Sequence, residues 1–329
     1  MAAANGFLDT LRRHSPWFML AATAVAIAAA LLVSDCGGSR NNGKSADGAS
    51  VAANGPLAAA AVSAALVTDP LPTPLYGVTI DDISELAAVV ESFRRLARRP
   101  TARIVFDEKM GPSYYRQAAI AMSQVSYLMG EILDSAFVRR ISVSGYLNRT
   151  TRYLDSMGDI INVWEVGNEV NGEWLGKTAD VVAKISGAYD LVKARGKVTA
   201  LTLYYNEDCW SRPSNEMFTW TQTNIPARMK QGLDYVLVSY YEEDCNGLKP
   251  DWAAVFKRLA AMFPNSRIGF GEIGATDPAV KAEYLTRYYT MKIGEPNYIG
   301  GYFWWYYRED MVPWTNPLWS TLNAAIQVQ

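Results

Sequence analysis

The sequence is nearly without histidine: of 329 residues one is His, at position 14, inside the N-terminal targeting segment. A Ser-His-acid triad and a His-based metal cluster are therefore both out of reach. No metal and no cofactor is expected. Charge of one sign is lacking too. The formal net charge is −2 and the Lys and Arg residues are scattered, so the footprint that phosphate-backbone binding needs is missing and nucleic acid is not an expected partner. Cysteine is scarce, at three residues. What the chain has in quantity is apolar surface, 50% by count, with ten Trp and nineteen Tyr. That is enough for one large core, and aromatics suit sugar stacking as well as ordinary packing.

The N-terminus reads as an address. Arg12 and Arg13 precede an almost uninterrupted apolar run from Trp17 to Val33, followed by Ser34-Asp35-Cys36-Gly37, the layout of an export signal. Its end resembles a bacterial lipoprotein cleavage site, with Val33 and Ser34 acceptable and Asp35 departing from the pattern. Cys36 is then the lipidation candidate. The alternative is an uncleaved anchor, since roughly 17 apolar residues is only just enough to span a bilayer. Residues 37–74 are rich in Gly, Ala, Ser and Asn and end in Pro70-Leu71-Pro72-Thr73-Pro74, a flexible spacer with a stiff end. The expected organisation is signal peptide or membrane anchor over 1–36, linker over 37–74 and one catalytic domain over 75–329. The protein would be exported, tethered to the membrane, facing the periplasm or exterior, and monomeric.

From Leu75 onward, short apolar runs alternate with amphipathic stretches, the pattern of βα units around a parallel sheet. Strands are expected at 76–80, 102–106, 125–132, 161–166, 198–204, 235–239, 267–270 and 299–304. Val181, Val182, Ile185, Ala188, Tyr189 and Val192 share one helical face, as do Trp252, Val255, Phe256, Leu259 and Met262. An open doubly wound sheet would give similar alternation, but no Gly-rich phosphate fingerprint follows the first strand. Eight units favour closure into a (β/α)8 TIM barrel, an α/β fold.

The fourth expected strand ends in Val163-Trp164-Glu165-Val166-Gly167-Asn168-Glu169, and the seventh in Ile268-Gly269-Phe270-Gly271-Glu272. Both Glu residues fall at the C-terminal face, where barrel active sites are built. An Asn-Glu pair alone says little, since it recurs at Asn206-Glu207 and Asn215-Glu216. Its position on strand four, with a second Glu on strand seven, is the informative part. In this the chain resembles clan A of the glycoside hydrolases over nearly the whole domain. The resemblance implies a retaining glycosidase acting on β-linked glycans, with Glu169 as acid/base and Glu272 as nucleophile. Retention requires two carboxyl groups about 5 Å apart, one protonated and one ionised. The implied substrate is an oligo- or polysaccharide.

The same resemblance implies supporting roles. Arg103 on strand two would keep Glu272 ionised. Asn168 would hydrogen-bond the sugar 2-hydroxyl in the transition state. A Tyr at the end of strand six would donate to the nucleophile, and Tyr240 is preferred over Tyr241; alternation lets only one of them point inward, and the sequence does not fix the phase. Trp305 would stack under the sugar, with Trp304 turned outward. Glu131 and Asp134 after strand three, Asp81 and Asp82 after strand one, and Trp174 could line outer subsites or be ordinary loop residues. Cys209 and Cys245 follow neighbouring strands and could pair as a disulfide in an exported chain. Two other functions remain open: a transglycosylase using the same site, and a catalytically silent barrel that binds polysaccharide.

Overall fold

The computed structural model describes residues 71–328. The expected signal or anchor, the linker up to residue 70 and Cys36 lie outside them. In chain order the elements are β1 (Leu75–Ile80), α1 (Leu86–Arg95), β2 (Thr101–Val105), α2 (Pro112–Ser123), β3 (Tyr127–Glu131), α3 (Ser135–Val138), α4 (Val143–Met157), β4 (Val163–Glu165), α5 (Thr178–Ala194) and β5 (Val198–Tyr204). There follow α6 (Met217–Asn224), α7 (Ala227–Gly232), β6 (Tyr235–Tyr240), α8 (Trp252–Met262), β7 (Arg267–Ile273), α9 (Pro278–Tyr289), β8 (Gly300–Trp304), α10 (Tyr307–Met311) and α11 (Pro317–Ala325). The strands pair in sequence order, all parallel, and β8 closes on β1. This is the eight-stranded barrel expected from the alternation of patterns. No helix among the described residues is long and apolar enough to cross a membrane.

Strand alternation sorts the side chains into two cores. Outward residues such as Leu128, Trp164, Leu201, Val236 and Val238 pack against the helices. Val181, Ile185, Ala188, Tyr189 and Val192 of α5, and Trp252, Val255, Phe256 and Leu259 of α8, meet them from outside, so the helical stripes do cover the barrel. Inward residues make a separate cluster at the barrel's lower end, containing Leu75, Met129, Val163, Ala200, Leu237 and Phe303. Leu71, on the linker side of the expected boundary, belongs to it as well. It is 2% exposed, its N–H donates to Tyr235 Oη at 3.1 Å, and its carbonyl accepts from Arg267.

One step of two residues up each strand, the interior changes character. Met129 gives way to Glu131, Val163 to Glu165, Ala200 to Thr202 and Leu237 to Ser239. Because successive side chains alternate faces, these pairs share the inward face. A charged, hydrogen-bonded layer thus rests on an apolar plug, directly under the C-terminal mouth.

The seam between β7 and β8 is irregular. Register between them is kept at Ile273 and Trp304, while Gly300, Gly301, Tyr302 and Phe303 all have positive φ. Gly301 is required there: at φ +95°, a Cβ would lie 2.0 Å from the Phe270 carbonyl oxygen.

Candidate active site

Glu169 and Glu272 line one cleft at the C-terminal end of the barrel, together with Asn168, Asp134, Ser135, Tyr241 and Trp305. Glu169 sits just past β4 with φ 48°, a left-handed conformation uncommon for a residue with a side chain. Such strain persists where surrounding contacts over-determine it, and it clusters at working sites. The contacts are present. Ser239 Oγ, inward on β6, donates to Glu169 Oε1 at 2.7 Å, and Ser135 Oγ donates to Oε2 at 2.7 Å. Trp174 Nε1 donates in turn to Ser135 Oγ at 3.0 Å.

Burial drives the Glu169 carboxyl well above the usual carboxylate range, and the neighbouring Glu272 charge adds to it, while the two serine hydroxyls pull the other way. The balance favours the protonated form of Glu169. A hydroxyl can accept as well as donate, so either serine can turn its bond around as the proton comes and goes. The site can hold both states of an acid/base.

Glu272 has the opposite surroundings. Its Oε2 accepts from Arg103 Nη1 at 2.9 Å and Asn168 Nδ2 at 3.1 Å, and its Oε1 accepts from Tyr241 Oη at 2.8 Å. Three donors, one of them a fixed cation, favour negative charge on this carboxyl. Burial and the Glu272 charge push the Tyr241 phenol well above its ordinary value, so it stays a neutral donor. The Arg103 guanidinium also lies 5.9 Å from the Trp305 ring centroid.

The expectation of Tyr240 beside the nucleophile is corrected: the residue is Tyr241. On β6, Val236 and Val238 face the helices, Leu237 faces the interior and Ser239 meets Glu169. Tyr240 continues the outward phase, packs on Tyr205 and Trp252, and donates to the Leu248 carbonyl at 2.5 Å. Tyr241 is the next inward residue, past the strand's end, where it turns into the mouth.

The other singled-out residues divide. Trp305 lines the cleft, and Trp304 is buried against the outer core with its Nε1 donating to Asp310 at 2.9 Å. Asp134 lines the cleft and caps α3 by accepting from Ala136 N. Burial, more than the cap relieves, pushes its carboxyl up to about 6. Trp174 acts through Ser135. Asp81 pairs with Arg308 and Asp82 accepts from Ser84 N, and neither lines the cleft. Glu131 is not an outer-subsite residue. It is fully buried in the upper barrel interior. Cys209 and Cys245 form a disulfide, tying the loop after β5 to the loop after β6 that carries Tyr241. Among the described residues no group of His, Cys, Asp and Glu is arranged to hold a metal ion.

Sequence reasoning missed Ser135, Ser239, Thr202 and Glu165. The serines and Thr202 carry no signal of their own. Glu165 does: a charge within the apolar run Val163-Trp164-Glu165-Val166 must find a partner when the run is buried.

No protein-family model and no curated protein matches the chain. Solved structures with the same fold include Saccharomyces cerevisiae Gas2p in complex with laminaritriose and laminaritetraose, at 14% identity and TM-score 0.52. Another is Gas2p in complex with laminaripentaose, at 13% identity and TM-score 0.53. In both cases the match covers 78% of this chain and 65% of the other. At these identities the likeness is one of fold, and the chain spans about two-thirds of those proteins' length.

Proposed function

We propose that the protein is a retaining glycoside hydrolase of β-linked glycans, with Glu169 as acid/base and Glu272 as nucleophile. One observation carries this: two carboxyl groups on one cleft have opposite environments, one pushed toward its protonated form by burial, the other held by Arg103, Asn168 and Tyr241. In the first step Glu169 gives its proton to the leaving oxygen as a Glu272 oxygen bonds to the anomeric carbon and the glycosidic bond breaks. Glu169, now a carboxylate with Ser135 and Ser239 donating to it, then takes a proton from water. That water attacks the glycosyl ester and releases Glu272. If a sugar hydroxyl takes the place of water, the same site performs transfer.

The substrate class follows from the lining. The cleft surface carries Asp134, Glu169, Glu243, Asp244 and Glu272 and no Lys or Arg, so a neutral glycan fits and one bearing uronates or sulfates is repelled. Gas2p, of the same fold, is seen with laminari-oligosaccharides, which makes a β-glucan the first candidate. Trp305 offers a ring face to the sugar, and Asn168 Oδ1, buried without a partner, can accept from a hydroxyl. The Cys209–Cys245 bond suits an oxidising compartment, in keeping with export and tethering through the N-terminal segment.

Laminaripentaose turnover followed by NMR tests the reading, with a β-configured first product expected. Glu169→Ala and Glu272→Ala should each nearly abolish turnover in a folded protein, and azide should rescue only the Glu169 variant. Full activity in either variant would sink the assignment. Product analysis at high acceptor concentration separates hydrolysis from transfer.

A further inference from the structure

Arg103 is shared among three buried carboxyl groups, and the nucleophile does not receive the larger part. Its Nε donates to Glu165 Oε2 at 2.6 Å and its Nη2 to Glu165 Oε1 at 3.3 Å, a two-fold bond. Glu272 receives one bond, from Nη1 at 2.9 Å. Glu131 Oε2 lies 3.1 Å from Nη2 without a hydrogen-bonding alignment, and its Oε1 has no partner. Thr202 Oγ1 donates to Glu165 Oε1 at 2.5 Å. Arg103, Glu131 and Glu165 are each 0% exposed, so solvent cannot relieve an imbalance of charge.

Resting on the assignment of Glu272 as nucleophile, we propose that Glu165 and Glu131 are positioning residues. Glu165 keeps Arg103 compensated whether Glu272 is a carboxylate or has become a glycosyl ester, and Glu131 lies beside Nη2 without drawing on it. When the Glu272 oxygen bonds to the anomeric carbon and the leaving oxygen departs with the Glu169 proton, Glu272 loses its charge. A guanidinium paired with Glu272 alone would then be a stranded buried cation, which is costly. With Glu165 on its two-fold face, Arg103 stays in a neutral pair through both steps. Glu131 is the least engaged of the three, with no hydrogen-bond partner on either carboxyl oxygen. Burial drives its carboxyl well above the usual range, opposed by Arg103 and reinforced by Glu165, Asp134 and Glu272. Ionised, it would take a third share of the guanidinium.

The titratable and charged groups around this set are Arg103 from β2, Glu131 at the end of β3, Asp134 capping α3, Glu165 from β4, Glu169 past β4, Tyr204 from β5, Tyr241 past β6, Tyr306 past β8 and Tyr146 of α4. Among the described residues Arg103 is the cation at the centre.

The test is the pH dependence of kcat/KM on laminaripentaose. In Glu165→Gln, Arg103 falls wholly to Glu272, so the acid limb should move down by about one pH unit. The value of kcat/KM should drop by about 100-fold, because the ester now strands the cation. Glu165→Asp, which restores the charge, should return the limb toward wild type. Thr202→Val removes the hydroxyl from Glu165, which then leans harder on Arg103, and should move the limb the other way, up by a few tenths of a unit. A folded Glu165→Gln with lower activity and an unmoved acid limb would overturn the proposal and leave a merely structural role. If that variant does not fold, Thr202→Val decides, and an unmoved or lowered limb overturns it. A wild-type protein inert on all β-glycans would overturn the nucleophile assignment and this proposal with it, whereas an active wild type with unmoved limbs overturns this proposal alone.

Discussion

The two inward layers of the barrel are built on the same strands, two residues apart, yet they are opposite in kind. The lower, with Met129, Val163, Ala200 and Leu237, is buried and apolar. The upper, with Glu131, Glu165, Thr202 and Ser239, surrounds Arg103 and reaches Glu169 and Glu272. The lower layer excludes water from beneath the upper one, and that is what gives the upper layer its leverage. In a low-dielectric setting a carboxyl group either finds a donor or keeps its proton. Glu169 and Glu272 sit on the same cleft and diverge because Glu169 has two neutral hydroxyls as donors and Glu272 has the Arg103 cation among its three.

The sharpest way to break this contrast is to remove the cation of the upper layer. Arg103→Met leaves Glu272 and Glu165 without a shared counter-charge. It should lower kcat/KM by about 1,000-fold or more and destabilise the fold by about 3–5 kcal/mol, measured by kinetics and urea denaturation. A cut in the lower layer should separate the two readouts. Leu237→Ala should cost about 2–5 kcal/mol of stability with kcat held near wild type where the protein is folded, since the cavity opens away from the chemistry.

A finer comparison lies at the end of β6. Tyr241→Phe removes a donor from Glu272 and should reduce kcat by about tenfold. Tyr240→Phe should leave kcat within about twofold and cost about 1 kcal/mol of stability, the worth of one hydrogen bond. Equal effects on kcat would mean that the inward and outward phases are misassigned.

The smallest effect concerns pH. The Glu169 carboxyl is raised and acts in its protonated form, so activity should be present below that raised value and lost as pH climbs through it. Ser239→Ala removes a donor that favours the charged form. The basic limb of kcat/KM should then move further up, by about half a unit. A downward shift would contradict the hydrogen-bond direction assigned to Ser239.

Much of the fold is legible in the sequence. Strand five matched residue for residue, and the others differ from expectation by three residues or fewer at either end, because buried parallel strands between amphipathic helices leave a two-period signature in sequence. The placement of Glu169 and Glu272 followed from counting strands. Tyr241, Glu165 and the serines did not follow. In a parallel barrel both faces of a strand are buried, one in the interior and one under the helices. Val236 and Leu237 are equally apolar and equally buried, and nothing in them marks which faces inward.

The sequence by itself thus determined the number and order of the strands, and with them which two glutamates stand at the barrel mouth. The tertiary structure alone decided the phase at the end of β6, where Tyr241 faces the nucleophile. It also brought β2, β3, β4 and β7 together so that Arg103 meets Glu131, Glu165 and Glu272. Those contacts span separations of up to 169 residues, and only closure of the barrel brings such distant positions within hydrogen-bonding reach.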